Sequence, residues 1–286
     1  MQRYRDMIPE WECFWETIQR PLPPTFRANP LRIEPCLLEE RLRAQGWVLA
    51  RRAWNPLFFE VLQGPPPGAT LEHWLGYYYV QEETSLFPPL ALEPQPGERI
   101  LDLCAAPGGK TSYIAYLMNN RGLLVANDPD SLRLKALMPN LFRLGVLCAV
   151  VTEYRGEQFP LPSGPLFDRV LVDAPCTSEG NVRRSFRLLP GAPLEAVRRM
   201  SSLQKGLLRR AVELTKPGGV IVYSTCTFAP EENEEVVRAV LNSHPVSLEW
   251  LEFPVPHERG LTEWGGRELG KEMQACVRFY PHHFNS

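Results

Sequence analysis

The sequence predicts an α/β chain, a doubly wound parallel sheet preceded by a small α/β unit. Three observations carry this. From Arg99 onward, short apolar runs alternate with helix-like segments, the pattern of parallel strands joined by crossover helices. The first of those runs, RILDLCA, ends in a tight small-residue turn at Gly108–Gly109 that opens a helix. The 286 residues, 44% hydrophobic and 22% charged, make a length between one large domain and two modest ones. A boundary near residue 85 divides them into 1–85 and 86–286.

In chain order, residues near 2–19 and 35–45 read as helices, the second ended by Gly46. Strand-like runs follow at 25–33 (TFRANPLRI), 46–53 (GWVLARRA) and 57–63 (LFFEVLQ). Gly64–Gly68 (GPPPG) is the sharpest breaker in the chain and marks a turn. After RILDLCA and its turn comes a helix-like KTSYIAYLMNN. A second run, GLLVANDPD, then leads into a helix over 131–144. VLCAVV, DRVLVDAPC and GGVIVYSTC supply three further strands, with helix-like stretches between them.

Composition narrows the function classes. No apolar run approaches the ~20 residues that span a bilayer, and the charged start MQRYRDMIPEWECFW is no signal segment. The seven cysteines are odd in number and form no CxxC pair, which argues against a disulfide framework and a structural zinc site. A reduced, cytoplasmic chain without metal is expected, and a monomer. The 29 prolines show no linker-like repetition and read as turn and boundary residues. The net charge of −2 argues against a uniformly basic nucleic-acid binder, but it is unevenly spread. Residues 1–100 carry −3, 101–180 carry −1, 181–216 carry +7 and 217–286 carry −5. The basic block, with Arg183, Arg184, Arg187, Arg198, Arg199, Lys205, Arg209 and Arg210, is either a solvated helix face or a surface for phosphates.

The turn LDLCAAPGGKT, from Leu101 to Thr111, lets a ligand approach the backbone, and the helix N-terminus behind it favours anionic groups. A phosphate-binding GxxxxGK[ST] loop would need Gly where this chain has Cys104, and no GxGxxG is present. The second strand ends in Asn127–Asp128, where an acid can hold ribose hydroxyls or simply shape the turn before Pro129. Adenosine without an anchored triphosphate suggests S-adenosylmethionine. DAPC (Asp173–Cys176) and STCT (Ser224–Thr227) each follow a buried strand directly. If those strands are neighbours, Cys176 and Cys226 face one cleft beyond the C-terminal strand ends. One thiolate there can act as a nucleophile, and a second thiol beside it can take or give a proton.

With these motifs in view, the chain resembles the NOL1/NOP2/Sun family of RNA cytosine-C5 methyltransferases. The resemblance runs over nearly the whole chain, through PTFRANPLRI, YYYVQEETS, LDLCAAPGGKT, ANDPDSLRLKALMPNLFRLG, DAPCTSEGNVRR and STCTFAPEENEEVV. It implies a Rossmann-like class I methyltransferase domain behind an RRM-like, RNA-binding unit at 1–85. It also implies S-adenosylmethionine-dependent methylation of cytosine C5 in rRNA or tRNA. Cys226 would be the nucleophile that adds to C6, and Cys176 would assist product release. Asp173 and Lys110 would orient the base. The cofactor would lie on Cys104, Ala105, Ala106, Pro107, Gly108, Gly109 and Lys110, with Asp128, Arg133 and Asp173. The basic block follows DAPC directly, so Arg183 and Arg184 are expected on the RNA.

The chain departs from the family pattern twice. Arg155 stands where the family has an acid that helps hold the cofactor, and Glu153 or Asp168 is the candidate substitute. The family continues past a segment like VRFYPHHFNS into one more strand, which leaves the STCT strand with an expected unpaired edge, a liability for folding and solubility. Both departures motivate a second reading, a catalytically impaired RNA-binding or ribosome-assembly factor that keeps the fold.

Overall fold

The computed structural model describes residues 1–161 and 164–284. Two sheets organise the chain. The first is antiparallel and four-stranded, in the order β2-β3-β1-β4, with β1 at Thr25–Ala28, β2 at Val48–Arg52, β3 at Asn55–Gln63 and β4 at Tyr78–Val80. Helix α2 (Pro35–Ala44) lays Leu38 and Leu42 on it, over Phe26, Phe59 and Tyr78. The Phe26 ring stacks on Phe59 at 5.2 Å and tilts against Tyr78 at 4.5 Å, so one aromatic knot ties three strands together.

The second sheet is parallel and five-stranded, in the order β7-β6-β5-β8-β9. Its strands are β5 (Arg99–Asp102), β6 (Leu123–Asn127), β7 (Ala149–Thr152), β8 (Phe167–Asp173) and β9 (Thr215–Ser224). Helices α5 (Gly109–Leu117), α6 (Ser131–Leu144) and α7 (Leu194–Leu214) make the crossovers. The order reverses at β5, so β6 and β8 flank it and the C-terminal strand ends gather around one crevice. The central strands β5, β6 and β8 are largely buried, as their continuous apolar runs require, while the edge strands β7 and β9 are only partly covered.

Several element limits differ from those read in the sequence, each for a local reason. The helix expected over 2–19 breaks at Pro9, which disfavours helical geometry at Ile8, and at Glu10, whose φ is +49°. Only α1 (Trp11–Ile18) is helical over several turns. Its buried face, Trp11, Phe14 and Ile18, packs on Phe228 and Tyr280 of the second half of the chain, not on the small sheet. The third parallel strand begins at Ala149 instead of Val146, because the N–H of Val146 bonds back to the Leu141 carbonyl and closes α6 around Gly145. Strand β4 lies inside YYYV and was not read as a strand. It is three residues long and exists through its pairing with β1.

Helix α3 (Leu71–Trp74) links β3 to β4 within the first sheet, and α4 (Phe87–Leu92) leads from β4 to β5; tight packing also joins the two sheets. Gly76 sits at φ +74°, and a Cβ there would lie 2.0 Å from the Arg143 carbonyl oxygen at the end of α6, so only glycine fits. Arg27 of β1 is fully buried. It donates to Ser112 Oγ at 2.8 Å and to Gln81 at 3.1 Å, with its guanidinium 4.6 Å from the Tyr113 ring centroid.

Beyond α8 (Glu234–Leu241) the chain forms small pairings among β10 (Glu258–Arg259), β11 (Glu263–Trp264), β12 (Arg267–Glu268) and β13 (Val277–Arg278), then α9 (Pro281–Phe284). Residues 285–286, the last of the segment VRFYPHHFNS, lie outside the described residues. Among the described residues no strand pairs with the outer edge of β9. A cavity of about 1080 Å³ runs along that edge, walled by Val240, Val246, Leu251, Phe253 and Phe279. No helix among the described residues is long and apolar enough to cross a membrane.

Buried Arg278 pins this last segment to α8 through both guanidinium arms on the Glu234 carboxylate, and it donates to the Phe228 carbonyl at 3.0 Å. Arg278→Ala strands the Glu234 charge in the interior, and denaturant unfolding should show a loss of about 3–5 kcal/mol.

Candidate active site

The pairing of β8 with β9 builds the site. Its register sets Asp173 beside Ser224, so DAPC and STCT leave the sheet side by side. The Cys176 and Cys226 sulfurs, fifty positions apart in sequence, are 3.3 Å apart. Cys226 is exposed and Cys176 half-buried. The loops are tied through their backbones as well: Ala174 N–H bonds to the Ser224 carbonyl at 2.9 Å, and Gly180 N–H to the Cys226 carbonyl at 2.8 Å.

The two thiols are electrostatically unequal. A hydrogen bond from Cys176 pulls the Cys226 thiol down to about 7, against the opposing effect of burial and with help from Ser178. The same contact, together with burial, pushes Cys176 up. The Asn181 side-chain amide also donates to the Cys226 sulfur, at 3.4 Å. One sulfur is thus poised as a thiolate and the other as a thiol, which is the division of labour a nucleophile and a proton carrier need.

Next to them, Lys110 Nζ donates to Asp173 at 2.7 Å, and Ser224 Oγ donates to the other carboxylate oxygen at 2.8 Å. Burial draws the Lys110 ammonium down, but the Asp173 carboxylate outweighs it and the net displacement is upward. Lys110 therefore remains a charged donor at the cleft. It stands at the second position of α5, where the turn from β5 delivers it.

That turn is built from small residues because it is crowded. Gly108 has φ +103°, and a Cβ there would lie 2.9 Å from Leu137 of α6. Cys104, Ala105 and Ala106 are buried, and burial pushes the Cys104 thiol well up, which makes it a packing residue without nucleophilic character. Asp102, at the end of β5, accepts from Thr111 Oγ1 at 2.7 Å. Its other oxygen is buried with no partner, and burial raises the carboxyl to about 7. An orphaned acceptor beside a glycine turn suits a ligand that brings its own donors, so the residues present fit a polar cofactor here.

Asp128 is 0% exposed, because the Arg133 guanidinium closes on it at 3.0 Å and also bonds to the Ala106 carbonyl. Asp128 further accepts from the Asp130 N–H at 3.1 Å and the Ala106 N–H at 3.3 Å. The carboxylate is thus fully partnered, with the Arg133 guanidinium over it. Arg155 turns to solvent on Glu157 and leaves the crevice alone. Of the two candidate substitutes, Glu153 is exposed in this loop. Asp168 is at the opposite end of β8, bound to Lys216 and the Arg99 N–H, and cannot reach the site.

The basic block also divides. Arg183 is only 5% exposed and donates to the carbonyls of Arg20 and Pro21, so it anchors the N-terminal segment and does not face a solvent-side strand. The side chain of Arg184 is half-exposed, lines the cavity beside Lys110 and Asn181, and pairs with Glu82. Sequence reasoning missed Asp102, whose signal was an acid inside an apolar strand run, and Asn181, whose role depends on the neighbouring loop.

Residues 89–286 match the family model described as 16S rRNA methyltransferase RsmB/F. The tRNA (cytosine(49)-C(5))-methyltransferase of Pyrococcus abyssi is 38% identical over 98% of this chain and 90% of its own length. The human 28S rRNA (cytosine(4447)-C(5))-methyltransferase is 39% identical over 98% of this chain, which spans 35% of that relative's length. A crystal structure of a methyltransferase homologue from Pyrococcus horikoshii superposes with a TM-score of 0.84 at 37% identity, covering 98% of this chain and 89% of that one.

The Cys226 alkylation rate should rise through a midpoint near pH 7. Cys176→Ala removes the sulfur donor and should move that midpoint up toward the ~8.5 of an ordinary thiol. Site-resolved iodoacetamide labelling measures both.

Proposed function

The chain belongs to the 16S rRNA methyltransferase RsmB/F family, and on that premise we propose that it transfers a methyl group from S-adenosylmethionine to C5 of a cytosine in RNA. The observation that carries this reading is the 3.3 Å contact between an exposed, thiolate-prone Cys226 and a half-buried Cys176. Cytosine C5 is too weak a nucleophile to take a methyl group unaided. Addition of Cys226 Sγ to C6 moves the ring electrons onto C5 and gives it enamine character. Lys110, held by Asp173, stabilises the charge that builds on the pyrimidine edge. When bound, S-adenosylmethionine supplies the electrophilic methyl that C5 attacks. The C5 proton must then leave; as it does, the S–C6 bond breaks, the ring double bond returns and Cys226 is regenerated as thiolate. Cys176, in contact with that sulfur, assists this release.

The turn Cys104–Lys110 with Asp128 and Arg133 is the proposed cofactor cradle, and Asp173 serves both ligands. The target base must leave its stack to reach the two sulfurs. Arg184 is the proposed phosphate contact at the cavity mouth, and the small sheet of residues 1–85 the proposed RNA-binding unit. A reducing, cytoplasmic setting suits a mechanism that depends on two free thiols. Arg155 pairs with Glu157 and turns away from the crevice, so it does not obstruct the proposed site.

Two variants separate the cysteine roles. Cys226→Ala should abolish both methyl transfer and the covalent RNA adduct, while Cys176→Ala should accumulate the adduct on denaturing gels. Equal adduct in both would overturn the assignment. Asp128→Ala should weaken S-adenosylmethionine binding by at least about tenfold in calorimetry, that is, ~1.4 kcal/mol.

A further inference from the structure

Behind the two cysteines lies a buried polar chain that the reaction above does not use. Both cysteines are followed by threonine, Thr177 and Thr227, and each loop carries a fully buried glutamate, Glu179 in the first and Glu232 in the second. The pairing is crossed. Thr177 of the first loop donates its backbone N–H to Glu232 of the second at 3.0 Å, and its hydroxyl oxygen lies against the other carboxylate oxygen. Thr227 of the second loop donates to Glu179 of the first at 2.9 Å. The two hydroxyl oxygens are themselves 2.9 Å apart.

Each end is anchored in turn. Gln204 of α7 donates to Glu232 at 2.8 Å and to the Pro175 carbonyl at 2.9 Å. Glu179 accepts from the Tyr4 hydroxyl at 2.7 Å and from the Ala192 N–H at 2.8 Å.

We propose that Glu179, Thr177, Thr227 and Glu232 are positioning residues, a crossed brace that fixes the Cys176–Cys226 separation and through it the timing of adduct formation and release. The catalytic half of that statement rests on the function proposed above; the geometric half does not. Proton counting makes the brace asymmetric. Its three oxygen–oxygen contacts, Glu232–Thr177, Thr177–Thr227 and Thr227–Glu179, need three hydrogens, and the hydroxyls supply two. The third is a carboxylic proton on Glu232, where burial favours the neutral form. Glu179 has only donors around it and acts as pure acceptor. An amide can therefore replace Glu232, with its NH2 where the carboxylic proton was, but not Glu179.

Phenylarsine oxide reads the geometry without RNA or cofactor, because it bridges two thiols only when they are adjacent, releasing water. In the native chain one arsenic should protect both Cys176 and Cys226 from alkylation, mapped by mass spectrometry to exclude the other five cysteines. Glu232→Ala, Glu179→Gln and the near-isosteric Thr177→Val should lose most of this capture, and Glu232→Gln and Thr177→Ser should restore it. The impaired variants should drop kcat by about 100-fold, the scale of a misplaced reacting group, with unchanged S-adenosylmethionine affinity. Thermal unfolding identifies any variant that fails to fold, and Thr177→Val against Thr177→Ser then decides the matter alone. Native capture in folded Glu179→Gln and Thr177→Val overturns the brace. Loss of capture in the variants, alongside a native chain that methylates no RNA cytosine, leaves the brace standing and overturns the reaction instead.

Discussion

The parallel pairing of β8 with β9 is the constraint on which the rest of the site depends. A ladder that sets Asp173 beside Ser224 forces the two strands to release their loops at the same height. Everything chemical follows from that coincidence. The sulfurs touch, Asp173 receives Ser224 from one side and Lys110 from the other, and the threonines after each cysteine meet behind the sulfurs. A slip of one residue in the register would turn alternate side chains to the other face and separate the thiols. The buried side chains of β8, with Ile221 and Tyr223 of β9 packed beside them, make such a slip costly, so hydrophobic packing holds the register of a polar site.

The small sheet and the N-terminal segment take part in the same construction. Tyr4 reaches the brace behind the cysteines, and Arg27 reaches Ser112 in the first turn of α5, one residue from Thr111 and two from Lys110. The chain that comes first in sequence thereby buttresses the loops that come last. Arg183 belongs to this framework too, tying the segment after Cys176 to residues 20–21.

Much of this was legible in the sequence. The alternation of apolar runs and helices gave the parallel sheet, and DAPC and STCT pointed to two cysteines at neighbouring strand ends. What escaped has a common cause. Pro9 and Glu10 break a helix that composition alone would continue. Strand β4 is too short to show a period. Arg183 looks like its exposed neighbours, since nothing in a run of arginines says which one finds two carbonyls inside the protein. Asp102, Asn181 and the crossed glutamates act only through partners on other elements, nine residues away for Asp102 and 45 to 55 for the others, and a local pattern carries no trace of such a partner.

The Arg133 guanidinium over Asp128 has its own consequence. The carboxylate is never bare in the interior, so at the proposed cofactor cradle a ligand hydroxyl would trade places with a cation and would not have to desolvate an exposed charge. Entry and exit become exchanges between two satisfied states, and occupancy is set by the difference between them. On that reading Arg133, the cation that returns, would set how long the ligand stays.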